Sequence, residues 1–221
     1  MSIFFYSPWP NNTDWLKKIK KKFKGYKVYT LNDNPDFKKI KYALVWDIKD
    51  NILSKMPNIK AFFSLGAGVD HILKLNNYNG QPIIRIKDPL MGERMSNYVF
   101  SQILNYQLSL NLFRNAQLKK KWLGEKEPAL NKNINIGILG IGFLGLYVGK
   151  QLNNIGYKVI GFKNSKPKIK YPFSVLYQKK DLKKFLNQSN IVVSILPATP
   201  KTKYFINKTF LKKMKKNALL I

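Results

Sequence analysis

The residues whose spacing is most specific are Gly140-Ile141-Gly142-Phe143-Leu144-Gly145. The pattern G-x-G-x-x-G does three jobs when it joins a strand to a helix. The first glycine allows the tight turn. The second lets the backbone approach a pyrophosphate, and the third lets the helix lie close against the sheet. The amides of the first helical turn then face the phosphates of a dinucleotide. The apolar run Ile134 to Leu139 reads as the strand and Phe143 to about Asn154 as the helix, which is the context the motif requires. A glycine-rich turn without a ligand is the alternative reading.

A dinucleotide site of this kind commonly carries an acid about 20 residues further on, where it meets the ribose hydroxyls. Here that place reads Gly161-Phe162-Lys163-Asn164-Ser165-Lys166, with no acid. Lysines Lys163 and Lys166 are suited to a 2′-phosphate, so the expected cofactor is NADP(H) in preference to NAD(H). The alternative is that both belong to a general excess of lysine.

A second glycine loop, Ser64-Leu65-Gly66-Ala67-Gly68-Val69-Asp70, also lies between an apolar run and a short helical stretch. Its amides could hold a small carboxylate; an ordinary tight turn explains it equally well. Asp70 reads as a helix cap or structural partner. His71 is the only histidine, and its plain reading is a solvent-exposed or capping residue. Arg85 and Arg94 read as structural or surface residues. Cysteine is absent, which removes disulfides, thiol nucleophiles and cysteine metal sites together. No metal site is expected.

The wider composition sets limits on the whole chain. Its 221 residues suit one large domain or two small ones. A hydrophobic fraction of 45% supports a true core. The formal net charge is +29, almost all of it lysine, since Arg85, Arg94 and Arg114 are the only arginines. Arginine is the usual reader of bases and phosphates, and no nucleic-acid module is evident. Specific nucleic-acid binding is therefore not expected, although loose attraction of polyanions and anionic metabolites is. The N-terminus lacks a signal-peptide pattern. No apolar run reaches the roughly 18 residues of a membrane span. The expectation is a soluble, cytoplasmic protein.

The elements that must position these residues follow from apolar periodicity. Strands are expected at Ile3 to Tyr6, Tyr26 to Tyr29, Tyr42 to Trp46, Ile59 to Ser64 and Ile83 to Ile86. A helix is expected over Asp14 to Phe23, with Trp15, Leu16, Ile19 and Phe23 on one side, and short helices at Ile52 to Met56 and Val69 to Leu75. One long helix is expected from Met91 to Phe113, followed by a link from Lys119 to Lys132. Beyond the glycine motif the pattern predicts strands at Tyr157 to Phe162, Ser174 to Leu176, Ile191 to Ile195 and Ala218 to Ile221. Helices at Asp181 to Leu186 and Lys208 to Met214 lie between them. Strands alternating with helices predict an α/β fold with parallel sheets covered on both faces.

Several segments together resemble the D-isomer-specific 2-hydroxyacid dehydrogenases. They are Tyr42-Ala43-Leu44-Val45-Trp46, the Leu65 to Asp70 loop, Met91-Gly92-Glu93 with Tyr98 and Ser101-Gln102, Ile136 to Gly145, and Leu196-Pro197-Ala198-Thr199-Pro200-Lys201-Thr202. They occur in the family's order along nearly the whole chain. The resemblance implies a flavodoxin-like substrate domain (residues 1–100), a long helix and linker (101–132), and an incomplete Rossmann dinucleotide-binding domain (133–221), with the active site in the cleft. It implies reduction of the small 2-oxo acids glyoxylate and hydroxypyruvate to glycolate and D-glycerate, with NADPH preferred.

The same resemblance implies site residues. Gly140, Ile141, Gly142, Phe143, Leu144 and Gly145 would hold the cofactor, with Lys163, Asn164 and Lys166 at its 2′-phosphate. Leu196 and Pro197 would lie along the nicotinamide. Gly66, Ala67 and Gly68 would surround the substrate carboxylate, with Trp46 lining the substrate side; a core aromatic is the alternative for Trp46. A homodimer paired through the nucleotide domain is the expected assembly. Two departures stand out. Where the family uses a Ser-Arg-Thr-Arg stretch, this chain has Lys163-Asn164-Ser165-Lys166, so both arginine forks are gone. The family's catalytic arginine, glutamate and histidine fall beyond the stretch matching Asn217 to Ile221, so no catalytic residue is assigned. The expectation is a C-terminally truncated chain, with a catalytically inactive cofactor-binding remnant as the alternative.

Overall fold

The computed structural model describes residues 2–10, 12–124 and 127–221. The chain divides into two compact units, Met1–Lys87 and Asp88–Ile221. Both are α/β, as the periodicity predicts.

The first unit contains β1 (Ser2–Tyr6), α1 (Asn12–Lys22), β2 (Lys27–Tyr29), β3 (Tyr42–Val45), α2 (Asp50–Leu53), β4 (Ala61–Ser64), α3 (Asp70–Leu73) and β5 (Ile83–Arg85). All strand pairs are parallel, in the order β2-β1-β3-β4-β5, which is the flavodoxin-like arrangement. Side chains alternate across a strand, and β1 shows the consequence. Phe4 enters a cluster with Val45, Ile48, Phe62 and Ile72 on one face. Its neighbours Ile3 and Phe5 enter another with Ile19, Val28 and Leu44. Each fully buried side chain of this size contributes about 1.5–3 kcal/mol. Along α1 only Ile19 is fully buried; Trp15 and Phe23, expected on the same inner side, keep exposed edges.

The second unit opens with α4 (Pro89–Gln107) and α5 (Leu110–Leu118). Asp88 caps α4 by accepting from the Leu90 amide at 3.0 Å, and Pro89 occupies the first turn, where its missing N–H costs nothing. The single helix expected from Met91 to Phe113 is in fact two. The backbone turns at Ser109, which is left-handed with φ 54°, and α5 restarts beyond it. Apolar spacing continues across the break and neither glycine nor proline marks it, so periodicity ran straight through.

The Rossmann elements follow: β6 (Asn135–Leu139), α6 (Phe143–Asn154), β7 (Lys158–Lys163), β8 (Ser174–Tyr177), α7 (Leu182–Gln188), β9 (Ile191–Ser194), α8 (Lys208–Lys212) and β10 (Leu219–Leu220). The sheet is parallel in the order β10-β9-β6-β7-β8. Ile136, Ile138, Ile191 and Val193 pack on one face with Val99, Ile103, Val148 and Leu152 from α4 and α6. Leu139, Phe162 and Val192 pack on the other with Phe185, Leu186 and Phe210. No helix is long and apolar enough to cross a membrane among the described residues.

Candidate functional sites

In open parallel sheets, ligands bind beyond the carboxyl ends of the strands, at the point where strand order reverses. In the second unit this point lies between β6 and β9, which pair from Ile136↔Ile191 to Leu139↔Ser194. The glycine turn leaves β6 here, and the loop from Ile195 to Pro197 leaves β9.

The three glycines have separate structural causes. Gly140 has φ 101°, and a Cβ on it would stand 2.6 Å from the Ile195 carbonyl oxygen. This close approach sets Leu196 beside the turn. Gly145 lies under the turn, with its Cβ position 2.0 Å from the Gly140 carbonyl oxygen. Gly142 differs: a Cβ there would meet nothing within 4 Å. It is the N-cap of α6 and has no capping side chain. No acceptor among the described residues meets the amides of Gly142, Phe143 or Leu144. An open face, unpaired donors and the positive end of a twelve-residue helix fit a pyrophosphate. Ile141 is buried and turns back over Gly161, where a Cβ would come 2.8 Å from its Cγ1.

At the end of β7, Lys163 is half-buried. Its Nζ donates to the Tyr171 hydroxyl at 3.3 Å and lies 5.7 Å from the centre of that ring. Asn164 and Lys166 follow on an exposed loop. Leu196 is half-buried and Pro197 exposed. The loop they begin is tied by Thr202, whose Oγ1 donates to the Pro197 carbonyl and accepts from the Thr199 amide at 2.9 Å.

In the first unit the reversal lies between β1 and β3. Trp46 follows β3 directly, half-buried, with its ring 5.6 Å from that of Trp9 and 4.5 Å from that of His71. It also lies flat against the second glycine loop: a Cβ on Gly66 would come 2.3 Å from Trp46 Cζ3. The loop spans the end of β4. The amide of Gly66 is directed inward and donates to Ser64 Oγ at 3.3 Å. The amides of Ala67 and Gly68 meet no acceptor among the described residues.

His71 departs from its sequence reading. It is buried rather than exposed, and caps nothing. Its Nδ1 accepts from the Asp47 amide at 3.1 Å, and its Nε2 lies 3.0 Å from Ser64 Oγ. Since Nδ1 accepts, Nε2 carries the proton and donates to Ser64. Burial lowers the imidazole pKa, more than the neighbouring Asp70 and Asp47 raise it. Asp47 itself is left-handed, with φ 44°. Its carboxylate bridges Lys49 at 2.6 Å and Lys74 at 3.3 Å, and the Lys49 hydrogen bond holds its pKa below the usual range.

Arg85, read as a structural or surface residue, is exposed at the end of β5 and donates from Nη1 to the Ala67 carbonyl at 3.3 Å, a partner the sequence did not indicate. Only pairing of β4 with β5 brings it there.

Comparison with known proteins decides the family. Residues 100–221 match the NAD binding domain of the D-isomer specific 2-hydroxyacid dehydrogenases. The chain belongs to this family. It is 31% identical over 229 aligned residues to glyoxylate/hydroxypyruvate reductase A of Escherichia fergusonii, covering 100% of this chain and 72% of that protein. Against the enzyme of the same name from Photorhabdus laumondii the identity is 28%, with the same coverage. Among solved structures, a family member from Xanthobacter autotrophicus Py2 in complex with NADPH and MES superimposes with a TM-score of 0.88 at 29% identity. That match covers 99% of this chain and 70% of the other. The NADPH-dependent glyoxylate/hydroxypyruvate reductase of Sinorhizobium meliloti, in complex with NADP and sulfate, gives 0.84 at 29% identity, covering 98% and 68%.

Proposed function

We propose that this 2-hydroxyacid dehydrogenase binds NADPH in its second unit and a small 2-oxo acid, glyoxylate or hydroxypyruvate, in its first. The observation that carries the reading is the open N-terminus of α6, where Gly142 leaves space and three successive amides lack partners among the described residues. The relatives and the two ligand-bound structures support it by their own activity and ligands.

Within the Gly140 to Gly145 turn, the amides of Gly142, Phe143 and Leu144 would cradle the pyrophosphate, while Gly140 and Gly145 shape the turn that presents them. Lys163 and Lys166, with Asn164 between them, would meet the 2′-phosphate, and the stretch Lys163 to Lys166 holds no acid to oppose it. Leu196 and Pro197 would shield the nicotinamide from water. When bound, the cofactor supplies the hydride for the carbonyl carbon. The amides of Ala67 and Gly68, unmet among the described residues, would receive the substrate carboxylate, and Trp46 would bound the space beside it.

Reduction also needs a proton donor within hydrogen-bond reach of the carbonyl oxygen. His71 does not serve, because both of its ring nitrogens are already engaged inside the fold. The expected behaviour of residues 1–221 is therefore cofactor binding with little or no turnover. Two measurements on this chain test the proposal. NADPH binding should be seen by fluorescence titration, and absorbance at the reduced nicotinamide band should barely fall with glyoxylate or hydroxypyruvate. Absent NADPH binding would overturn the cofactor reading, and robust oxidation of NADPH would overturn the expected lack of turnover.

A homodimer paired through the second unit belongs to the same proposal. Its support is the apolar surface along α4, α5 and the segment after them, where Tyr98, Leu104, Leu118 and Trp122 are exposed, Trp122 to 92%.

A further inference from the structure

We infer that His71, acting through Ser64, is the positioning residue that sets the shape of the carboxylate loop and the placement of Trp46. This rests on the proposed role of that loop. Ser64 Oγ is the hub. It donates to the Gly68 carbonyl at 2.7 Å, accepts from the Gly66 amide at 3.3 Å and accepts from His71 Nε2 at 3.0 Å. One hydroxyl proton and two lone pairs are then all in use. The result turns Gly66 inward and leaves the Ala67 and Gly68 amides without acceptors among the described residues.

The imidazole does more than complete the hub. Its Nδ1 holds the Asp47 amide, and so fixes the left-handed residue directly after Trp46. Its ring lies 4.5 Å from the Trp46 ring, which also packs on Trp9 and against Gly66. One buried side chain thus joins the end of β3 to the loop after β4. The arrangement needs a neutral ring: a proton on Nδ1 would face the Asp47 N–H, donor against donor. The charged groups facing this imidazole are Asp70 at the start of α3, Lys74 just after its end, and Asp47 with its partner Lys49 from the β3–α2 loop. Burial holds the imidazole pKa below its ordinary value of 6.5, so a change on acidification below that value, accompanied by a shift of the ring nitrogens, reports the histidine.

Because His71 is the only histidine, selective nitrogen-15 labelling of histidine and glycine gives an unambiguous test by NMR on the full 221-residue chain. The probe is glyoxylate with NADP+, which cannot deliver a hydride. At pH 7 the ring should carry its proton on Nε2, and glyoxylate should shift the Gly66 and Gly68 amides. S64A removes one oxygen and should weaken glyoxylate about tenfold while NADP+ affinity holds. H71Q keeps a donor within reach of Ser64 and should lose less, about threefold. Glyoxylate affinity of the parent chain should fall as the pH drops through the histidine titration, and that dependence should vanish in H71Q.

A ring protonated on Nδ1 at pH 7, or unchanged glyoxylate affinity in S64A, overturns the positioning role alone. If NADP+ binds but glyoxylate leaves Gly66 and Gly68 unmoved in the parent chain, the substrate reading of the loop falls and the positioning role falls with it.

Discussion

Gly145 passes so close beneath Gly140 that a Cβ on Gly145 would stand 2.0 Å from the Gly140 carbonyl oxygen. Gly142, between them, faces open space. The same motif therefore contains a packing glycine and one that the proposed function gives to the cofactor, and substitution separates them. G145A should cost about 1–3 kcal/mol of folding stability, because backbone must move to admit the methyl group. G142V should leave the melting temperature nearly unchanged and weaken NADPH at least tenfold by filling the space before the α6 amides. Thermal melts paired with cofactor titrations check both; a stable G145A protein would contradict the packing role.

The lysines after β7 should discriminate between cofactors. Charge-assisted hydrogen bonds contribute about 1.5–3 kcal/mol each, and only NADPH offers the 2′-phosphate. The double variant K163A/K166A should lose tenfold or more in NADPH affinity and little in NADH affinity. Lys163 is held by Tyr171, so K163A alone should have the larger share. Equal losses for both cofactors would assign these lysines to the general positive charge instead.

Leu118 and Trp122 are 78% and 92% exposed, unusual for side chains of this size and polarity. If they are covered in a homodimer, L118S/W122S should shift the chain from dimer to monomer in analytical ultracentrifugation without changing its circular dichroism. A parent chain that sediments as a monomer at micromolar concentration would refute the pairing.

His71 also makes stability depend on pH. Burial lowers its pKa in the folded chain below the ordinary value of 6.5. Between those two values the unfolded chain binds the proton and the folded chain does not. The contribution is therefore complete above about pH 6.5 and is lost as the pH falls through the folded value. Urea melts between about pH 7.5 and 5 should show falling stability, with a shallower fall in H71Q. Equal slopes in the two proteins would place the dependence elsewhere.

The amino-acid sequence by itself determined the strands, most of the helices and their order. Alternation in Ile3 to Tyr6 and apolar runs such as Ile136 to Leu139 specified buried parallel strands, because each side chain's face follows from the residue before it. The start of α6 at Phe143 was legible, since the glycine turn marks it, and its end was expected at about Asn154, where it lies. The turn at Ser109 was not, because a serine can enter the left-handed region without any local signal. The substrate loop shows the same division. Its glycines were visible, but not that Ser64 claims the Gly66 amide, that Arg85 reaches Ala67, or that His71 is buried and neutral. The Asp47–His71 bond joins residues 24 positions apart. Sheet pairing alone brings such groups together, and no periodicity within a single segment carries that information.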